Sequence, residues 1–143
     1  MTGIDQVRGA SYDAPRAIHT ALAASPAGTY NQAVAAGEFV FISGQTPRLA
    51  NGDRLLNVPF GEQASAVLDN LEAIAAAAGL SLGDAVNVTV YLSDPTNAAE
   101  FDRLYKTRVG SVLPARAIVQ SSLTVGALEV TAVLYQRTVG GPS

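Results

Sequence analysis

Few side chains in this sequence can carry covalent or acid–base chemistry, and that scarcity narrows the options. There is no cysteine, and His19 is the single histidine. Disulfides, thiolate nucleophiles and Cys/His metal sites are therefore excluded. Asp5, Asp13 and Asp53 stand in loop-like stretches without the spacing of a calcium loop. In Ser43-Gly44-Gln45 a serine ends a run of strand formers. A nucleophilic serine needs a base, and only His19 could serve, so Gly44 is read instead as a place where backbone approaches a ligand closely.

Two charged residues break apolar runs near the C-terminal end. Arg116 follows Pro114-Ala115 at the mouth of Ala117-Ile118-Val119. A guanidinium there is either a structural ion pair or a clamp whose fork grips a carboxylate bidentately. Pro114 fixes the backbone entering the strand and limits where the fork points. Glu129 interrupts Ala127-Leu-Glu-Val-Thr-Ala-Val-Leu-Tyr135 and shares a face with Thr131, Val133 and Tyr135. It is either a sheet-surface glutamate or a carboxylate that holds or activates a water. Tyr30, between Gly28 and a strand, is either a packed aromatic or a wall of a ligand site.

These side chains need a frame. Residues 17–23 could form a first strand, ended by Pro26 and Gly28. Two short strands are expected around a Gly37-Glu38 turn, the second containing Phe39–Ser43. Asn51-Gly52-Asp53 marks a turn, with a loop or a minor hairpin around it. Ala64, Val67, Leu68, Leu71, Ile74, Ala75 and Ala78 recur at helical spacing and predict a helix over 61–78, stopped by Gly79. Over 85–92, alternation puts Val86, Val88, Val90 and Leu92 on one face of a strand. Ser93-Asp94-Pro95-Thr96 predicts the start of a second helix, over 96–109, with Phe101, Leu104 and Tyr105 as its stripe. Two long strands then follow, 113–123 and 127–139, joined through Thr124-Val125-Gly126; as a hairpin they would make Arg116 and Glu129 neighbours.

The order strand, strand, strand, helix, strand, helix, strand, strand predicts an α+β domain with two helices on one face of a mixed sheet. The other sheet face needs a cover, which self-association would supply. The 143 residues fit one domain over 17–138, with a flexible extension at 1–16 and a frayed tail at 139–143. The net charge of −3, with Lys106 the only lysine, gives no nucleic-acid footprint. No run is apolar enough to span a membrane and no signal sequence is visible, so a cytoplasmic location is expected.

Together, Gly28-Thr-Tyr-Asn-Gln-Ala-Val34, Phe39–Pro47, the stretch from Gln63 to Asp94, Pro114-Ala-Arg116 and Glu129–Val133 resemble the RidA/YjgF family of reactive-intermediate deaminases. The resemblance runs from about residue 20 to residue 137. It implies a chorismate-mutase-like fold, a homotrimer with ligand sites between subunits, and no cofactor or metal. It implies hydrolysis of enamines and imines, such as 2-aminoacrylate and 2-iminobutanoate, to 2-keto acids and ammonia. Arg116 would bind the substrate carboxylate and Glu129 would position water. Tyr30, Ser43 and Gly44 would line the cleft, and Ile118 would offer its backbone N–H. Tyr105 stands where the family carries an asparagine, and the connection to Pro114 is shorter, so this segment would shape the pocket. One residue fewer separates Gly126 from Glu129, and Thr131 stands in place of a second acid. The alternative is a trimeric regulator that binds 2-keto acids or related small metabolites without turning them over.

Overall fold

A computed structural model describes residues 14–136. The expected extension at 1–16 therefore lies outside it up to residue 13, and so does the tail at 139–143. Six strands form one sheet: β1 (Arg16–Ile18), β2 (Ala33–Ala36), β3 (Phe39–Gln45), β4 (Ala85–Leu92), β5 (Ala115–Gln120) and β6 (Leu128–Tyr135). Two helices, α1 (Phe60–Ala77) and α2 (Ala98–Tyr105), cover one face. The element order is the predicted one. The spatial order is β1-β2-β3-β6-β4-β5, with only β4 and β5 parallel.

Helix α1 forms because its apolar positions fall on one stripe. Val67, Leu68, Leu71 and Ile74 are at most 1% exposed and meet Val40, Val90, Leu128 and Leu134 of the sheet. Burying each such side chain contributes about 2 kcal/mol. The helix ends as Gly79 dictates. Its φ is +76°, its N–H donates to the Ala76 carbonyl, and the Leu80 N–H donates to the Ala75 carbonyl. That is the paired 5→2 and 6→1 closure that a left-handed glycine permits. Gly37, at φ +58°, makes the predicted turn between β2 and β3.

Four expectations need correction. The first strand stops at Ile18, and residues 19–23 turn away from the sheet. The buried Gln32 amide holds that turn: its Oε1 accepts from the Thr20 N–H at 2.7 Å, and its Nε2 donates to the Thr20 and Ala24 carbonyls at 3.0 and 2.9 Å. Val86 is exposed and Ala85 is buried instead, because β4 bulges where Ala85 faces Leu134 but Asn87 faces Val133. One extra residue flips the faces on one side of the bulge. The second helix is shorter than 96–109: a 3-10 turn (Pro95–Asn97) opens it, capped by the Asp94 carboxylate on the Thr96 N–H, and α2 ends at Tyr105.

The fourth correction bears on function. The last two strands are not a hairpin: β4 lies between them. Strand β5 ends at Gln120, and the seven residues 121–127 arch over the end of β4. There the Ser121 N–H donates to the Leu92 carbonyl, and the Ser93 N–H donates to the Ala127 carbonyl. A tight hairpin uses two to five loop residues, roughly; this connection is long enough to skip a strand. Strand β6, with Leu128, Val130 and Leu134 fully buried, takes the central place, and β5 is an edge.

The face opposite the helices carries Phe39 and Phe41 of β3, Val119 of β5 and Tyr135 of β6, each between 38% and 48% exposed. Phe39 and Tyr135 are cross-strand partners with ring centroids 5.7 Å apart.

Candidate functional site

Four of the expected residues meet around one cavity of about 360 Å³ on the open side of the sheet: Tyr30, Ser43, Gly44 and Glu129, together with Thr46 and Arg54. Glu129 lies between Leu128 and Val130, which face the helices, so alternation turns it to the other side. Strand β3 slips register between Ile42 and Gln45, opposite this part of β6, and Gly44 comes up against the carboxylate. A Cβ at position 44 would stand 2.6 Å from Glu129 Oε2 and 2.9 Å from its Cδ. Only glycine allows the carboxylate to lie there. Among the described residues Glu129 makes no ion pair, so its oxygens are free to hold water or ligand.

The Ser43 hydroxyl donates to the Asn31 carbonyl at 2.6 Å. It is a fixed wall of the cavity, and His19, exposed on the turn after β1, does not line it. Tyr30 accepts the Ala27 N–H on its hydroxyl at 2.9 Å, which fixes a half-exposed ring beside the cavity.

Arg116, Tyr105 and Ile118 belong to a second cluster. Arg116 is in register with Val88, so it shares the helix-facing side of the sheet. Its Nη1 donates to Asp102 Oδ1 at 2.7 Å, and its guanidinium carbon sits 5.0 Å from the centre of the Tyr105 ring. The ring in turn stacks on the fully buried Phe101, with centroids 5.5 Å apart. Asp102 and the tyrosine face together hold the fork from two directions. Tyr105 is 6% exposed, and its hydroxyl has no hydrogen-bond partner among the described residues. Burial pushes its pKa above the ordinary value; the Arg116 charge pulls it down and the Asp102 charge pushes it up. Ile118 packs its side chain against the core from the edge strand.

Arg116 and Glu129 therefore stand two strands apart, on opposite faces of one sheet. Within one subunit the two side chains point to opposite sides of the sheet. The segment after α2 is itself anchored. Arg108 donates from Nη1 to Asp69 and Glu72 of α1, at 3.0 Å each, and Gly110 packs so closely on the Gly83 backbone that a Cβ would lie 2.9 Å from the Gly83 carbonyl oxygen.

A wider cleft of about 520 Å³ lies on the helical side, lined by Glu62, Asp69, Glu100 and Arg103 among others. None of the expected residues reaches it. Among the described residues no three His, Cys, Asp or Glu side chains gather as metal ligands would, and no helix is long and apolar enough to cross a membrane.

Two residues beside the expected ones were not singled out from the sequence. Asp102 was legible as the helix position three before Tyr105 but carried no motif. Arg54 is placed by the Asn51-Gly52-Asp53 turn, across from Arg48.

Residues 20–134 match the family model described as endoribonuclease L-PSP. A RutC family protein of Pyrococcus horikoshii is 39% identical over 122 residues, covering 84% of this chain and 97% of that protein. A 2-iminobutanoate/2-iminopropanoate deaminase of Dermatophagoides farinae is 30% identical over 104 residues, covering 73% and 81% of the two chains. Among solved structures, E. coli TdcF with bound serine superposes with a TM-score of 0.77 at 31% identity, covering 85% of this chain and 99% of that one.

Proposed function

The chain belongs to the endoribonuclease L-PSP family, the RidA/YjgF family, and on that premise we propose that it hydrolyses short-lived 2-imino acids and their enamines to 2-keto acids and ammonia. The observation that carries the reading is the cavity in which Tyr30, Ser43 and Gly44 surround the ion-pair-free Glu129. The relative named as an imine deaminase and the serine bound to TdcF support it, since a 2-amino acid and a 2-imino acid share a carboxylate and an adjacent nitrogen.

The site is completed by a second copy of the chain, in a homotrimer that sets the edge strand β5 of one subunit beside the open sheet face of the next. Glu129 of one subunit then meets Arg116 of its neighbour. The exposed ladder of Phe39, Phe41, Val119 and Tyr135 is the surface such an assembly would cover.

The imine carbon is already electrophilic, so the reaction requires no covalent intermediate with the protein and no cofactor. Arg116 grips the substrate carboxylate with the nitrogens that Asp102 leaves free. Glu129 orients a water and takes a proton from it as the oxygen adds to the C=N carbon. That proton passes to nitrogen and completes the carbinolamine; Glu129 then relays the hydroxyl proton to the same nitrogen, so that the carbon–nitrogen bond breaks, ammonia leaves and the carbonyl forms. An enamine such as 2-aminoacrylate first takes a proton at its terminal carbon to become the imine. Tyr30 and Ser43 wall the cleft, and the Ile118 N–H on the edge strand is offered to the ligand.

The test is to generate imines in situ with an amino-acid oxidase and follow their decay. The expected result is acceleration by the protein that is lost in Arg116→Ala and in Glu129→Gln. No acceleration over buffer, for any of several amino acids, rejects the reading. Binding of 2-keto acids without turnover would then identify a regulator.

A further inference from the structure

Arg48 and Arg54 form an isolated antiparallel bridge across the Asn51-Gly52 turn. The flanking hydrogen bonds run from the Leu49 N–H to the Asp53 carbonyl and from the Leu55 N–H to the Pro47 carbonyl, at 2.8 and 2.9 Å. Positions 48 and 54 are therefore the non-hydrogen-bonded pair, the one that brings facing side chains closest. Like charges placed directly opposite each other destabilise a strand pair. Neither arginine has a carboxylate partner among the described residues. The acid nearest in sequence, Asp53, receives the Asn51 side-chain amide instead.

The ribbon that presents this pair is rigid. Gly52 sits at φ +98°, and Asn51 Oδ1 accepts the Asp53 N–H at 2.9 Å. The buried Asn70 of α1 donates to the Arg48 carbonyl at 2.7 Å and accepts the Ala24 N–H at 3.3 Å, tying the ribbon and the 20–27 turn to the helix. Both arginines line a small recess of about 30 Å³, walled also by Tyr30, Gly44 and Thr46. Those three residues and Arg54 also line the Glu129 cavity. The recess is thus a side chamber of that cavity, and the two arginines at its wall form no ion pair among the described residues.

We infer that the Glu129 cavity receives 2-imino acids with a second, distal carboxylate, and that Arg54 and Arg48 bind that distal group. The inference rests on the deaminase reading of the same cavity. It adds a substrate class: the dicarboxylic imines and keto acids of four or five carbons, in preference to those with short neutral side chains. The α-carboxylate goes to Arg116 and the distal carboxylate to the arginine pair. The ligand relieves the repulsion between the two guanidiniums, so binding is favoured beyond a single charge-assisted contact.

The experiment compares the full-length protein with Arg54→Gln, Arg54→Glu and Arg54→Lys. Imines are made in situ from glutamate and from alanine, and the ratio of their kcat/KM values is read. In parallel, Kd is measured by calorimetry for 2-oxoglutarate and 2-oxobutanoate. The wild type should favour the dicarboxylic compound in both readouts by about tenfold or more, as a charge-assisted pair predicts. Arg54→Gln should lower the ratio by about the same factor, Arg54→Glu should bring it below one, and Arg54→Lys should keep part of it. A wild-type ratio near one, or one unchanged in Arg54→Gln, overturns the inference while turnover of the alanine imine leaves the deaminase reading intact. If no imine is turned over but an Arg54-dependent preference for 2-oxoglutarate persists, the deaminase reading falls and the anion site stands.

Discussion

Gly44→Ala separates the position of Glu129 from the stability of the fold. The added Cβ would lie 2.6 Å from Oε2, 2.9 Å from Cδ and 3.1 Å from Cγ of Glu129. An ordinary contact is about 3.4 Å or more, so the carboxylate must retreat by roughly 0.5–1 Å. Gly44 does not need a left-handed backbone, so alanine adds no conformational strain. The clashing atoms are the end of a side chain bordering an open cavity, and they can move. The cost in stability is therefore about 1 kcal/mol or less. A reacting group displaced by about 1 Å costs on the order of 100-fold in rate. The assay is imine decay in an oxidase-coupled reaction, with thermal unfolding followed on the same samples. The expected result is a loss of kcat of about 10- to 100-fold with Tm lowered by no more than a few degrees. Gly44→Ala protein with kcat within twofold of wild type would refute the claim that this contact sets the catalytic carboxylate.

Three further outcomes follow from the same contacts. Asp102→Ala frees the Arg116 fork from its 2.7 Å anchor and should raise KM about fivefold with a smaller change in kcat, as expected for a half-exposed charged pair. Tyr105 has a native pKa above the ordinary 10.0, so the folded state holds its proton when the unfolded state releases it. Its contribution to stability is complete below pH 10 and falls as pH rises through 10 toward the native pKa. Tyr105→Phe should flatten that alkaline loss in urea titrations and leave neutral stability equal or up to about 1 kcal/mol higher, since among the described residues the hydroxyl has no partner to lose. Gln32→Ala strands the Thr20 N–H and the Thr20 and Ala24 carbonyls; it should cost about 3 kcal/mol, read as a Tm drop of roughly 10 °C.

What the sequence made legible was local. The helix stripe from Ala64 to Ala75, the Gly79 stop, the Gly37 turn and the Asp94 cap each depend on residues within a few positions of one another. So does the alternation that turns Glu129 away from the core. The insertion of β6 between β3 and β4 is decided by burial across the whole sheet, and no spacing near Gly126 encodes it. The bulge at Val86 likewise shows only in pairing with β6. The consequence for the site is specific. Arg116 and Glu129 stand out in the sequence as charges in apolar runs; a hairpin would have made them neighbours, and the sheet instead holds them on opposite faces. Arg48 and Arg54 were flanking residues of a recognised turn, but nothing in the chain announced that the turn folds against the cavity. That depends on Asn70, buried on α1, reaching the Arg48 carbonyl.

If one active site takes Arg116 from one subunit and Glu129 from another, two inactive single variants complement each other. Arg116→Ala and Glu129→Gln, each inactive alone, can be co-refolded in equal amounts. Random assembly leaves an intact Arg116 facing an intact Glu129 at about a quarter of the sites. Recovery of about a quarter of wild-type imine hydrolysis is expected in the mixture. A mixture no more active than its two parents would contradict it.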